Sequence, residues 1–147
     1  MVTWNSDSDT VPLHTVLIIS DQSDNVAVWE SLFNQRNRIV LVETKVTDAL
    51  QSARLVGPSL MLVDVKLSKT ERNALLKGLR AASRGPILMI VSANTVDDIL
   101  EANQAGADEC LIKPINPAVL IVKAMAWLGY GEKSSRLPSS LNRHAAA

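Results

Sequence analysis

Four polar residues of the sequence each follow a short apolar run, and their side chains could act together in chemistry. These residues are Asp21, Asp64, Ser92 and Lys113. Asp64 is the most informative, because it directly follows the apolar run 60–63, which is typical of a buried parallel strand. In open parallel sheets, ligands and chemistry collect at the carboxyl ends of the strands. We therefore expect two carboxylates, a hydroxyl and an amine along one edge of a sheet.

The segments that position these residues alternate between strand-like apolar runs and helix-like apolar periods. Five strands alternating with five helices predict an α/β fold, a doubly wound five-stranded parallel sheet with helices on both faces. The predicted strands cover about residues 14–20, 39–42, 59–64, 87–91 and 109–112. The predicted helices cover about residues 24–36, 46–56, 70–82, 95–106 and 116–128.

Local signals fix several of the predicted helix ends. Ser23 or Asp24 is expected to cap the first helix, and Thr95 the fourth. Gly57 is expected to end the second helix. Trp29 lies on the apolar stripe of the first helix, which predicts a core position.

The sequence divides into one domain and two flanking segments. Residues 1–12 are polar without a period and are predicted to be a flexible leader. Residues 13–130 are predicted to fold as one domain, and residues 131–147 to form a flexible tail or linker. Because no sequence period of 20–50 residues repeats, a solenoid is excluded.

Charge and cysteine content narrow the classes of function. The 15 acidic and 15 basic side chains cancel, and without a basic cluster there is no electrostatic case for direct binding to nucleic acid or to a membrane. No apolar stretch reaches membrane-spanning length, and the polar beginning of the sequence is unlike a signal peptide. The single cysteine, Cys110, fits a reducing compartment, so we expect a cytoplasmic protein.

The ordered set of these features resembles the receiver domain of bacterial two-component response regulators (CheY-like). The resemblance covers about residues 14–129. It depends on Asp64 after the third strand, Ser92-Ala93 after the fourth, Ala105-Gly106-Ala107-Asp108 before the fifth, and Lys113-Pro114 after it. It implies a flavodoxin-like fold and a phosphoryl acceptor in signal transduction, not an enzyme acting on a free substrate. Such a domain signals by conformational change and protein contacts.

The resemblance also implies a role for each residue of the predicted edge. Asp64 would be the phosphoacceptor, Ser92 a hydroxyl donor to the phosphoryl group, and Lys113 its cationic partner. Asp21, Asp64 and the backbone carbonyl of Lys66 would bind Mg²⁺, which prefers oxygen ligands and offsets the negative charge. Positioning and electrostatics carry most of such a transfer. The bond between Lys113 and Pro114 is typically cis in the family.

Four positions depart from the family pattern. Ser20 stands where the family usually has a second acid beside Asp21, which predicts weak binding of Mg²⁺. Cys110 replaces an aromatic switch residue, so hydroxyl movement cannot be linked to burial of a ring in the usual way. Ser68 replaces a common Pro, and Arg72 a common Gly. These departures affect the expected output mechanism more than the expected fold.

Other interpretations remain open for some of these residues. Lys66 is expected to pair with Asp64 when no metal is present, and Cys110 to be a small buried hydrophobic residue. The whole chain could be a phosphorylation-independent pseudo-receiver that acts only as a protein-interaction module. A flavodoxin-like ligand binder has less support, because no Gly-rich phosphate loop follows the first strand.

The resemblance finally implies the partners. A histidine kinase or a phosphotransfer protein would supply the phosphoryl group. A downstream protein or a second copy of the chain would bind the face made by helix 4, strand 5 and helix 5, the usual partner surface in the family.

Overall fold

A computed structural model of the protein describes residues 14–21, 23–92 and 95–136, in which strands and helices alternate along the chain. The strands are β1 (Thr15–Ser20), β2 (Ile39–Glu43), β3 (Leu60–Asp64), β4 (Ile87–Val91) and β5 (Glu109–Ile112). The helices are α1 (Ser23–Asn34), α2 (Val46–Val56), α3 (Lys69–Ala82), α4 (Val96–Ala105) and α5 (Pro117–Arg136). The strands form one parallel sheet in the order β2-β1-β3-β4-β5, which confirms the predicted fold.

The register of the strands aligns their carboxyl ends. In the pairing of β1 with β3, Ser20 lies opposite Asp64. In the pairing of β4 with β5, Val91 lies opposite Ile112, the last residue of its strand. The residues that follow these strands therefore meet at one edge of the sheet, which we call the carboxyl edge.

Two layers of helices cover the sheet, and each encloses a separate hydrophobic core. Leu17 and Ile19 of β1 point into one core, and Val16 and Ile18 into the other, because successive strand residues face opposite sides. Helices α2, α3 and α4 supply the first core, and α1 and α5 the second. Trp29 is buried in the second core, as predicted. Burial on both faces explains why the central strands are continuous apolar runs.

Side-chain caps set the beginnings of α3 and α4. Ser68 and Glu71 form a reciprocal capping box at the start of α3. Thr95 accepts a hydrogen bond from the Asp98 amide at the start of α4, as predicted. Gly57 ends α2 with a φ of 61°, a left-handed conformation that glycine adopts without strain.

The ends of α1 and α5 differ from the predicted ones. Helix α1 begins at Ser23, so Ser23 and Asp24 belong to the helix, and the residue before them lies outside the described part of the chain. Helix α5 continues past Leu128 to Arg136, so the predicted boundary at residue 130 falls inside it. Gly129 and Gly131 lie near that boundary, but each glycine costs a helix only about 1 kcal/mol, so they do not end it.

The division into leader, domain and tail stays a prediction, because residues 1–13 and 137–147 lie outside the described residues. Among the helices described, none combines the length and the apolar character needed to cross a lipid bilayer.

Candidate functional site

Asp64 lies at the carboxyl edge as the last residue of β3, and only 2% of its surface is exposed. One carboxylate oxygen, Oδ1, is 2.7 Å from the ammonium nitrogen of Lys113. The other oxygen, Oδ2, is buried and has no hydrogen-bond partner among the described residues. A buried carboxylate needs a compensating charge, and Lys113 provides it for one oxygen while the second is left unsatisfied.

The loop after β5 holds Lys113 in place. Its amide donates a 2.7 Å hydrogen bond to the carbonyl of Val91, the last residue of β4. The peptide bond between Lys113 and Pro114 is cis, as the resemblance implies. About a third of the Lys113 side chain is exposed, so its ammonium group contacts both Asp64 and solvent.

Asp21 follows β1 and connects two loops of the carboxyl edge. Its amide approaches the backbone carbonyl of Asp64 at 3.4 Å. Its Oδ2 accepts a hydrogen bond from the Lys66 amide, also at 3.4 Å. The Asp21 carboxylate is thereby held beside the loop that follows Asp64.

The residues predicted from the sequence all line one cleft at the carboxyl edge, with a volume of about 190 Å³. They are Asp21, Asp64, Lys66, Ser92 and Lys113. Ser92 directly follows β4 and is exposed, while Ala93 and Asn94 beyond it lie outside the described residues. The residues predicted from the sequence therefore line one cleft, and their roles in that cleft remain predictions.

The expected ion pair between Lys66 and Asp64 is wrong. Lys113 forms the ion pair with Asp64, whereas Lys66 is exposed and approaches the site through its backbone amide. The physical reason is the burial of Asp64 at the strand end. Lys113, on the loop after β5, reaches Oδ1 of Asp64, whereas the Lys66 side chain is exposed on the loop after β3.

The donor set of the cleft fits a hard divalent cation. Two carboxylates and a backbone carbonyl are oxygen ligands of the kind that Mg²⁺ prefers, and Oδ2 of Asp64 lacks a partner among the described residues. The described part of the chain contains no cluster of three or more acidic, histidine or cysteine side chains that could hold a metal. Mg²⁺ characteristically retains several waters, so a site with few protein ligands suits it.

Arg72 also lines this cleft, and the sequence interpretation treated it only as a departure from the family pattern. It is 8% exposed, and one of its terminal nitrogens, Nη2, is buried without a hydrogen-bond partner in the described residues. A signal for its burial was present in the sequence. Residues 72, 75, 76 and 79 follow the three-and-four spacing of one helix face, and the three leucines of this set face the core.

Cys110 lies on β5 next to this region. It is half-buried and packs against the core that α2, α3 and α4 cover. Burial raises the pKa of the Cys110 thiol, while the positive charge of Arg72 opposes the shift and Glu109 adds to it. The thiol therefore stays protonated at neutral pH, which favours a packing role over a reactive one.

A parallel sheet of this strand order, with a buried aspartate paired to a lysine at its carboxyl edge, agrees with the resemblance to the receiver class of signalling domains. Comparison with known proteins agrees, since residues 16–125 match the response regulator receiver domain. The chain belongs to this family, and it functions in two-component signalling as a receiver domain.

The similar proteins include regulators and isolated receivers. The transcriptional regulatory protein AfsQ1 of Streptomyces coelicolor is 28% identical over 120 residues, which are 82% of this chain and 53% of AfsQ1. The chain thus spans about half the length of the curated relatives it matches. A CheY-like receiver domain from Methanospirillum hungatei superposes with a TM-score of 0.75 at 23% identity, covering 83% of this chain and 98% of that one.

A second similar structure was solved with a metal. It is the receiver domain of sensor histidine kinase PA1611 from Pseudomonas aeruginosa, with a magnesium ion coordinated in its active site cleft. It has a TM-score of 0.67 and 23% identity, and the match covers 80% of this chain and 99% of that one. At this identity the likeness supports the shared fold.

Proposed function

We propose that this receiver accepts a phosphoryl group on Asp64 from a histidine kinase or a phosphotransfer protein, with Mg²⁺ bound at the site. The observation that carries the proposal is the state of the Asp64 carboxylate. It is buried in the cleft, with one oxygen held by Lys113 at 2.7 Å and the other without a partner among the described residues. An oxygen left in this way is suited to react with an incoming phosphoryl group.

The proposed reaction transfers the phosphoryl group directly from a histidine nitrogen of the donor protein to an oxygen of Asp64. An oxygen of Asp64 forms a bond to phosphorus, the phosphorus–nitrogen bond of the phosphohistidine breaks, and the imidazole keeps its electron pair. Lys113 pairs with the developing negative charge, and Ser92 donates its hydroxyl to a phosphoryl oxygen. When bound through Asp21, Asp64 and the Lys66 carbonyl, Mg²⁺ supplies further positive charge.

Binding of Mg²⁺ is expected to be weak. Ser20 is 1% exposed and lies opposite Asp64 in the register of β1 and β3, so a neutral hydroxyl occupies the place where a second acid is expected. A cation site with fewer negative ligands binds its ion less tightly. The metal therefore contributes less to this site than to one with two adjacent acids.

Treatment with acetyl phosphate and Mg²⁺, followed by intact-protein mass spectrometry, tests the proposal. The wild-type protein should gain the mass of one phosphoryl group, and Asp64→Asn should gain none. Asp48→Asn is the matched control, because Asp48 is an exposed carboxylate in the first turn of α2 and should leave the gain unchanged. A wild-type protein that gains no mass, or an Asp64→Asn variant that gains as much, would refute it.

A protein partner should receive the signal on the face formed by α4, β5 and α5. Exposed apolar side chains of these elements include Val96 of α4 at 73% and Val122 of α5 at 68%. Exposed apolar patches of this kind mark surfaces that bind other proteins. The occupant would be a downstream protein or a second copy of the chain, and the single cysteine fits a cytoplasmic setting.

A pseudo-receiver that is never phosphorylated is the alternative. The buried Ser20 and the half-buried Cys110 favour it, because neither can perform the step that the acid or the aromatic ring performs elsewhere in the family. The same Asp64→Asn variant separates the two functions. If it binds its partner and signals as the wild type does under phosphorylating conditions, the pseudo-receiver is the correct function.

A further inference from the structure

Arg72 is a buried, positively charged residue that has no role in the phosphoryl transfer described above. Arginine carries a positive charge, and Arg72 is only 8% exposed. Its Nη2 atom is buried with no hydrogen-bond partner in the part of the chain that the structure describes. A buried charged donor without an acceptor costs free energy, so this group calls for an explanation.

The other edge of the same guanidinium is held in place. The Nε atom of Arg72 donates a 3.2 Å hydrogen bond to Oδ1 of Asn73. Asn73 in turn donates to Glu101 of α4 at 2.9 Å, and Glu101 pairs with Lys69 at 3.0 Å. This chain of contacts fixes the guanidinium between α3 and α4 while leaving Nη2 as an unmet donor.

The unmet donor and an unmet acceptor line the same cleft. Arg72 and Asp64 both belong to it, and Oδ2 of Asp64 has no hydrogen-bond partner within the described residues either. The lining includes the carboxylates of Asp21 and Asp64 and the cations Lys113 and Arg72. A phosphoryl group on Asp64 would bring additional negative charge and several acceptor oxygens into this space.

We propose that Arg72 is a second phosphoryl-binding cation, whose Nη2 atom donates to an oxygen of the phosphoryl group on Asp64. This inference deepens the proposed function and depends on it. Guanidinium groups bind phosphoryl oxygens through strong charge-assisted hydrogen bonds. Arg72 thereby takes over part of the charge compensation that the missing acid at Ser20 weakens on the metal side.

Two consequences distinguish this role from simple packing. The first is that the affinity for a phosphoryl mimic depends on the charge of residue 72. The second is that loss of this charge makes the site more dependent on Mg²⁺, because the ion must then offset more of the negative charge. A residue that only filled space would change neither quantity.

Binding of beryllofluoride, a phosphoryl mimic, measures both the affinity of the site and its dependence on Mg²⁺. The protein is titrated at a series of Mg²⁺ concentrations, and the shifts of the Ser92 and Lys113 amide signals are followed by NMR. Arg72→Gln should weaken the affinity by about tenfold or more, the effect of losing one hydrogen bond to a charged group. It should also raise the Mg²⁺ concentration required for half-maximal binding. Arg72→Lys, which keeps the charge, should retain part of the affinity.

Lys77→Gln serves as the matched control, because Lys77 is an exposed cation of the same helix outside the cleft, and it should bind as the wild type does. Thermal unfolding of each variant verifies that it is folded. If wild type and Arg72→Gln bind beryllofluoride equally, or if Arg72→Gln and Arg72→Lys lose equal affinity, the role of Arg72 is refuted while the proposed function stands. If the wild type shows no response that depends on Asp64, both are refuted.

Discussion

The two edges of the sheet each hold an arginine of α3 and an aspartate, and they treat these residues in opposite ways. At the amino edge, where the strands begin, Arg80 donates to the carbonyls of Gly85 and Gly106 at 3.0 and 3.1 Å and to Asp108 at 2.6 Å. At the carboxyl edge, Arg72 and Asp64 each keep a buried atom without a hydrogen-bond partner in the described chain. An arginine and an aspartate thus stabilise the structure at the amino edge, whereas the same residue types keep unused hydrogen-bonding atoms at the carboxyl edge.

The two edges differ in whether their buried polar atoms have hydrogen-bond partners. Asp108 accepts from the Ile87 amide at 2.8 Å as well as from Arg80, so the turn before β5 and the start of β4 are joined. Within the described residues, the Asp64 carboxylate joins no such network beyond its contact with Lys113. Buried groups without partners are rare in native proteins, and they concentrate at sites that bind or react. The contrast between these two pairs supports the proposal that the carboxyl edge carries the function.

Asp64→Asn, at the carboxyl edge, should have the largest effect on phosphorylation of all the variants considered. This substitution should abolish phosphorylation while changing the free energy of unfolding by less than about 1 kcal/mol, because it removes a buried charge with one unsatisfied oxygen and the partly exposed Lys113 can bind water instead. Chemical denaturation checks the stability, and mass spectrometry checks the modification. A loss of several kcal/mol would mean that Asp64 is a structural residue like Asp108.

Asp108→Ala should show the reverse behaviour. It removes the acceptor of the Ile87 amide and of Arg80, so unfolding should become easier by about 2 kcal/mol. Phosphorylation by acetyl phosphate should be unaffected under conditions where the variant is folded. If Asp108→Ala is as stable as the wild type, the hydrogen bonds of Asp108 do not stabilise the amino edge more than the contacts of Asp64 stabilise the carboxyl edge.

Ser20→Asp should convert the carboxyl edge toward a stronger metal site. A second carboxylate beside Asp21 adds negative charge where the cation binds, so the affinity for Mg²⁺ should increase several-fold. Titration of the Trp fluorescence or of amide NMR signals with Mg²⁺ measures the change. Ser20→Asn, which adds similar volume without charge, is the control, and equal affinity in both variants would contradict the assignment of this position.

The smallest effect is a pH dependence at the start of β5. Burial works against ionisation of Glu109, but hydrogen bonds from Lys123 at 2.8 Å and Trp127 at 2.9 Å lower its pKa below the ordinary 4.5. A lowered pKa in the folded state contributes stability above the unfolded value, and this stability is lost as the pH falls through the folded value. In wild-type protein, the free energy of unfolding should therefore decrease as the pH falls below about 4.5. In Glu109→Gln this decrease should be smaller, by less than about 1 kcal/mol. An unchanged decline would exclude this contribution.

The fold and the members of the cleft could be predicted because they depend on local signals. Continuous apolar runs fix buried parallel strands, and the strand ends fix Asp21, Asp64, Ser92 and Lys113 at one edge. The capping residues Ser68 and Thr95 are equally local, although the sequence interpretation used only Thr95 as a cap. Signals of this kind require no knowledge of distant contacts.

Pairings between distant residues could not be predicted in the same way. The choice of Lys113 over Lys66 as the partner of Asp64 depends on which of two loops places its ammonium group near the strand end. The burial of Arg72 was readable from its helix face, but its unmet donor depends on Asn73 and on α4. Similarly, the end of α5 at Arg136 was missed because weak helix propensity does not stop a helix.

The central claim is that the carboxyl edge carries its phosphoryl group on Asp64. Treatment with acetyl phosphate and Mg²⁺, followed by borohydride reduction and peptide mass spectrometry, tests it most directly, because the reduction converts an aspartyl phosphate into homoserine. The account predicts homoserine at position 64 and at no other aspartate. Homoserine at a different position, or unmodified Asp64 after full treatment, would contradict it.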